Sequence, residues 1–292
     1  MDQKPRWMNS IGEMDDKEFQ QWSSLLRQRT GMEVKHERKS FLTTGIRLRM
    51  RELGFTGYKE YYTYLLSGRT GNVEWATLVD RLTIHETRFF RHPGSIALLT
   101  DQFLPGYLAS HRGKNNIQAW SVGCATGEES YTLAIALDDY LLKRHPGFYY
   151  GVVGSDISLP ALAKARKGIY DSRRLKNIPV SYLNTYLTEL DNGHYQVKPA
   201  LSSRVCFNMF NLLEMEHTAI QQMDIIFCQN VLIYFDTNLR HAILDKLVEH
   251  LTPGGLLAIG VGEALNWKHP QMKRLSSHDA LAYTKENNHG EE

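Results

Sequence analysis

The chain has 292 residues, with 34 Lys+Arg against 32 Asp+Glu, 42% hydrophobic residues and three cysteines. Length gives room for one to two domains, and the apolar fraction excludes collagen, coiled coil and disorder for most of the chain. No run approaches 18 apolar residues, MDQKPRWMNS has no apolar segment behind its basic residues, and Cys124, Cys206 and Cys228 are scattered; a membrane-spanning helix, a secretory signal, a disulfide framework and a metal site are therefore not expected, and a reducing cytoplasm is.

The N-terminal region reads as short amphipathic helices. Phe19, Trp22, Leu25 and Leu26 share one helical face; Ile46, Met50 and Leu53 another, ended by Gly54; Tyr58, Tyr61, Tyr62, Leu65 and Leu66 a third, ended by Gly68. The stretch from Leu25 to Arg51 is basic, with Arg27, Arg29, Lys35, Arg38, Lys39, Arg47, Arg49 and Arg51 against Glu33 and Glu37.

The pattern changes at about Asn116. Strands are expected at Ile117–Val122, Tyr149–Ser155, Met223–Cys228 and Leu256–Val261, with helices at about Glu128–Leu142, Leu159–Lys167 and Asn238–His250, the last ending before Pro253-Gly254-Gly255. Unbroken apolar strands alternating with helices predict a parallel sheet covered on both faces. Between about Tyr170 and Phe207 the alternation fails. Tyr195–Val197 and Arg204–Phe207 read as short strands and Asp191-Asn192-Gly193 as a turn, so a small antiparallel insertion is expected there. The tail Lys285–Glu292 is polar and expected to fray.

Four segments carry candidate chemistry. Gly123-Cys124-Ala125-Thr126-Gly127 follows the first strand; its small residues allow close backbone approach to a ligand, or simply a tight strand-to-helix turn. Asp156 ends the second strand, where it can accept hydrogen bonds from a ribose diol or cap the next helix. In Ile84–His92 (IHETRFFRH), Phe89 and Phe90 read as core and Arg91 as an anion contact or a solvated charge. Gln229 and Asn230 follow the third strand, facing the crevice of a doubly wound sheet, with Tyr234 a site residue or a packing tyrosine. The glycine loop and Asp156 together point to a nucleoside-containing ligand.

Taken together, TIHETRFFRH, WSVGCATGEESYTLA, VVGSDIS with KARKGIY, NLLE and DIIFCQNVLIYFD resemble the CheR family of bacterial chemotaxis-receptor methyltransferases, in order and spacing, over about residues 15 to 285. The resemblance implies a Rossmann-like, class I S-adenosylmethionine-dependent methyltransferase sheet at 85–292, an N-terminal all-helical receptor-docking domain at 1–84, and a small antiparallel β insertion at about 170–207. It implies methyl transfer from S-adenosylmethionine to receptor glutamates, giving methyl esters and S-adenosylhomocysteine. Carried over, cofactor contacts fall on His85, Thr87, Arg91, Glu129, Asp156, Asn211, Leu212, Gln229 and Asn230, and catalytic roles on Arg91 and Tyr234. His85 and Gln229 depart from the Asn and Arg of the familiar enteric members.

The expected partner is the cytoplasmic helical domain of transmembrane chemoreceptors, approached by a cytoplasmic monomer without membrane insertion or nucleic acid. A nucleic-acid methyltransferase is disfavoured because QNVLIYF lacks the Asn/Asp-Pro-Pro-Tyr element of the amino-group methylases, and a nicotinamide oxidoreductase because GxGxxG is missing. An adaptor without turnover is the third alternative, against which stand Arg91, Asp156, Asn230 and Tyr234.

Overall fold

The computed structural model describes residues 11–83, 85–217, 220 and 222–286; most of the polar tail lies outside the described residues. The chain divides into two compact units. One comprises Met1–Ile84, Ser158–Pro160 and Tyr234–Asp236, the other His85–Ile157, Ala161–Ile233 and Thr237–Glu292.

The first unit is built on helices α1 (Asp16–Thr30), α2 (Lys39–Leu53), α3 (Tyr58–Leu65) and α4 (Gly68–Leu82). Asp15 and Glu18 form a reciprocal capping box that starts α1, and Gly31, at φ +76°, stops it. The apolar faces of the helices meet around Trp22, which stacks on Tyr61 with ring centroids 5.6 Å apart. A buried carboxylate sits in this core: Glu74 accepts two hydrogen bonds from Arg49 and one from Tyr61, all at 2.7 Å. Gly68, expected to end the tyrosine-rich helix, instead opens α4 with φ +53°.

The second unit begins with α5 (Pro93–Ala97), a wider helical turn at Leu98–Phe103 and α6 (Leu104–Ser110). Strands β1 (Asn116–Val122) and β2 (Tyr149–Asp156) follow, with α7 (Glu128–Arg144) between them and α8 (Leu159–Lys167) after. The insertion holds β3 (Ile169–Asp171), α9 (Val180–Tyr186), β4 (Leu187–Leu190), β5 (His194–Val197) and α10 (Pro199–Ser202). The main sheet resumes with β6 (Val205–Met209), β7 (Met223–Cys228), α11 (Thr237–Glu249), β8 (Leu251–Ile259), β9 (Met272–Arg274) and β10 (Leu281–Lys285). Its order is β6-β2-β1-β7-β8-β10-β9; β6 to β8 run parallel, and β10 pairs antiparallel with both β8 and β9. The insertion forms a separate antiparallel sheet, β3-β5-β4. The chain leaves β1 toward β2 on one side and returns through β7 on the other, which opens a crevice at the carboxyl end of β1.

Every residue of β7 is buried, as a central strand covered on both faces requires. One face packs Ile117, Ala119, Ile225 and Phe227 against Leu133 and Leu137 of α7. Ile243, Leu244, Leu247 and Val248 of α11 are also buried.

Two sequence expectations are corrected. Val205–Met209 is not an arm of the insertion but the parallel edge strand beside β2, paired from Val152↔Val205 to Asp156↔Met209. A short strand reads the same in either setting, and long-range pairing decides it. The fourth strand starts at Leu251, not Leu256, and runs through Pro253-Gly254-Gly255. Its register with β7 slips between Met223 and Ile225, and Gly254, at φ +75°, absorbs the extra residues as a bulge.

At the amino end of β7, Asp224 is 2% exposed. It accepts hydrogen bonds from Tyr107 Oη at 2.6 Å and the Gln118 N–H at 2.8 Å, and pairs with Lys114. Asp224→Ala strands these donors and should cost about 3–5 kcal/mol, read from urea unfolding of the whole chain.

Candidate cofactor and active site

The loop after β1 turns through three left-handed residues: Gly123 at φ +66°, Ala125 at +47° and Gly127 at +93°. A Cβ on Gly123 would lie 2.3 Å from Val231 Cγ2, and one on Gly127 2.7 Å from Ala165 Cβ, so both positions require glycine for conformation and for space. Asp156, at the end of β2, fixes this turn: the Ala125 N–H donates to its Oδ2 at 2.8 Å. The carboxyl ends of two neighbouring strands are thereby tied into one wall.

The first turn of α7 adds two acids. Glu128 is 1% exposed, accepts from Thr126 Oγ1 at 2.6 Å and pairs with Arg174 at 3.3 Å; burial raises its carboxyl above the usual range. Glu129 accepts from Ser121 Oγ at 2.8 Å. Burial, reinforced by the nearby Glu263 and opposed by the Ser121 hydroxyl and Arg91, pushes its pKa up to about 7.

The loop His85–His92 is irregular and anchored by its aromatic pair. Phe89 meets Tyr170 edge-on at 4.9 Å, and Phe90 stacks on Tyr182 at 5.9 Å. Phe90 is held at φ +50°, with its N–H donating to Thr132 Oγ1 at 3.1 Å. These anchors leave His85, Thr87 and Arg91 half-buried along the loop. Arg91 donates to the Glu86 carbonyl at 2.7 Å. Arg174 braces the same loop: its guanidinium donates to the Thr87 carbonyl and its own carbonyl accepts the Phe89 N–H.

After β7 the two polar residues diverge. Gln229 is buried and its amide donates to Ser95 Oγ at 2.8 Å and the Ile259 carbonyl at 3.3 Å, which commits that nitrogen to the interior. Asn230, at φ +62°, receives a hydrogen bond on Oδ1 from His92 Nε2 at 2.7 Å. Asn211 Oδ1 accepts the Leu213 N–H at 3.1 Å, and Leu212 is half-buried beside it. Tyr234 groups with the helical unit: its carbonyl accepts the Glu33 N–H at 2.9 Å, and it lines a cavity of about 20 Å³ with Met32, Val34, Arg38, Phe41 and Leu82. That space suits a water-sized group. Sequence reasoning missed Arg174, His92 and Glu263. None lies in a catalytic spacing, and each acts mainly through main-chain or amide partners.

Residues 17–83 match the family domain described as CheR methyltransferase, all-alpha domain, and residues 85–281 match CheR methyltransferase, SAM binding domain. The chain belongs to the CheR methyltransferase family. A chemotaxis protein methyltransferase of Borreliella burgdorferi is 31% identical over 237 residues, covering 80% of this chain and 83% of that protein. The chemotaxis protein methyltransferase of Escherichia coli is 34% identical over 259 residues, covering 88% and 86%. Chemotaxis protein methyltransferase 2 of Vibrio cholerae is 31% identical over 263 residues, covering 89% of each. As a CheR family member, the chain is a chemotaxis methyltransferase that uses S-adenosylmethionine.

The carboxyl edge fits that cofactor chemically. It offers a glycine turn without side-chain bulk, a carboxylate at a strand end, and a carboxyl, Glu129, that burial keeps from ionising freely. A ligand bearing a ribose and positive charge complements this set.

The raised Glu129 pKa has a consequence for stability. Folding moves it from an ordinary 4.5 to about 7, so between those values the folded chain binds more protons than the unfolded one. The contribution of Glu129 to stability therefore falls as pH rises from about 4.5 to about 7 and then levels. Thermal unfolding across this range should show that loss in the wild type, and Glu129→Gln should reduce it; identical profiles would contradict the assignment.

Proposed function

We propose that the chain transfers the methyl group of S-adenosylmethionine to glutamate side-chain carboxylates of chemoreceptors, giving glutamyl methyl esters and S-adenosylhomocysteine in sensory adaptation. One observation in the site carries the reading beyond family membership. Arg91, a half-buried guanidinium suited to an anionic acceptor, lies on the anchored 85–92 loop, which His92 ties to Asn230 at the carboxyl end of β7.

S-adenosylmethionine supplies the methyl on an electrophilic sulfonium. The acceptor carboxylate, with an ordinary pKa near 4.3, is already ionised at neutral pH, so the chain needs no general base. Its task is orientation and exclusion of water. In this reading Asp156 holds the ribose and Glu129 the ammonium group. His85, Thr87, Asn211, Leu212, Gln229 and Asn230 complete the cofactor wall. Arg91 orients the acceptor by charge-assisted hydrogen bonds, and Tyr234 is the second orienting group. Arg91 must hold the carboxylate loosely enough to spare its nucleophilicity, because ground-state binding alone does not raise turnover.

Receptor docking is assigned to the helical unit and to the insertion. Several basic residues from Leu25 to Arg51 are tied internally: Arg27 to Asp236 at 2.6 Å, Lys39 to Asp16 at 2.6 Å, and Arg49 to Glu74 and Glu52. Lys35, Arg38 and Arg51 are the exposed charges best suited to steer an acidic helical receptor. The β4–β5 tip, Asp191–Gly193, would add a second contact. No helix among the described residues is long and apolar enough to cross a membrane; we assign the chain to the cytoplasm as a monomer recruited to receptor arrays.

Receptor-containing membranes incubated with methyl-labelled S-adenosylmethionine should take up label that mild base releases as methanol. Base-stable label would overturn the ester reading. Asp156→Ala should weaken S-adenosylhomocysteine by about 2–4 kcal/mol in calorimetry, and affinity within twofold of wild type would remove Asp156 from the ribose site. With Glu129 as the ammonium acceptor, wild-type affinity should fall toward tenfold per pH unit below about 7, because the protonated acid must ionise to bind. Glu129→Gln should lose that dependence. Arg91→Ala should abolish methylation while retaining most cofactor affinity.

A further inference from the structure

Glu263 lies in the turn after β8, outside every segment singled out for chemistry, and is 1% exposed. Its carboxylate is met by main-chain donors rather than a basic side chain. The Asn230 N–H donates to Oε2 at 2.8 Å and the Ile233 N–H to Oε1 at 3.1 Å. Both donors belong to the loop after β7. Burial raises the Glu263 carboxyl, and the hydrogen bonds from this loop and its own turn oppose the rise. The glutamate also has reserved space: a Cβ on Gly260 would lie 2.0 Å from Oε2.

The amide that Glu263 holds belongs to the left-handed residue Asn230, whose side chain in turn receives the His92 hydrogen bond at 2.7 Å. His92 immediately follows Arg91. Three loops from distant parts of the sequence are thus linked through one carboxylate. We propose that Glu263 is a positioning residue for cofactor binding: by clamping the main chain of residues 230–233 it fixes Asn230, and through the Asn230–His92 hydrogen bond it holds the Arg91 loop. The proposal rests on the reading that Asn230 and Arg91 border the cofactor. A clamp made only for stability would leave cofactor affinity unchanged once the variant is folded, which separates the two roles.

The test uses the full chain with Glu263→Met, Glu263→Gln and Gly260→Ala, and Asp156→Ala as reference. Gly260→Ala keeps every polar group but pushes the flexible carboxylate end aside, so it decides the matter if Glu263→Met fails to fold. Calorimetry with S-adenosylhomocysteine should show Kd raised roughly tenfold or more by Glu263→Met and Gly260→Ala, with part of the loss recovered in Glu263→Gln, which retains one acceptor oxygen. KM for S-adenosylmethionine should rise while KM for receptor stays within about threefold, and the His92 imidazole NMR resonances should shift. Folded variants that bind within twofold of wild type, while Asp156→Ala binds weakly, overturn the proposal. If Asp156→Ala also binds normally, the cofactor reading has failed instead, and the His92 resonances decide the clamp: unmoved, they overturn it; shifted, they uphold it.

Discussion

A buried carboxylate accepting main-chain N–H groups holds each of the two turns that shape the carboxyl edge of the sheet. Asp156 takes the amide of Ala125, and Glu263 takes those of Asn230 and Ile233. Ala125 and Asn230 are both non-glycine residues at positive φ. Each such residue costs on the order of 1 kcal/mol or more, while a hydrogen bond to a charged group contributes about 1.5–3 kcal/mol. The carboxylates offset the strain, and each reaches its turn from a neighbouring strand end or loop. The glycines beside them matter for the same reason: Gly123 and Gly260 leave room that Val231 and Glu263 occupy.

The rest of the second unit supplies a frame rigid enough for that arrangement. Parallel strands buried on both faces fix where each strand ends, and hence where Asp156, Gln229 and Asn230 stand. The opposite edge carries a different use of a buried acid. Asp224 gathers Tyr107, Lys114, Thr252 and the Gln118 amide, a set whose donors are all answered within the fold. The same residue type serves stability at the amino end of β7 and loop geometry beyond its carboxyl end.

What the sequence disclosed follows from this division. The runs IQAWSV, YYGVVGS and MDIIFC were legible because a strand buried on both faces needs unbroken apolar residues, and α8 and β7 fall at their expected limits. Val205–Met209 was not, since its partner β2 is far away in sequence. The start of β8 was hidden because Pro253-Gly254-Gly255 has the composition of a turn and the conformation of a bulge. Strands β9 and β10 went unread; three exposed or half-exposed residues in β9 carry no alternation. In the site, strand-end positions could be read, but their partners could not. Gln229 turns its amide to Ser95, and Glu263 acts on main-chain groups that leave no side-chain signature.

Charge balance at the carboxyl edge supports the proposed reading of a ligand with positive charge there. Glu128 is answered by Thr126 and Arg174, Asp156 by the Ala125 amide, and Glu263 by two amides of the next loop. Glu129 receives one neutral hydroxyl, from Ser121, and desolvation pushes its pKa up to about 7. Buried carboxylates ordinarily come with enough donors or a cation to offset desolvation. Glu129, half-buried on the first turn of α7 next to the glycine loop, has only the Ser121 hydroxyl as a side-chain donor among the described residues. In the proposed reading, an ammonium group at that position would supply the charge that the neutral Ser121 hydroxyl does not, and the half-buried acid would become a binding determinant.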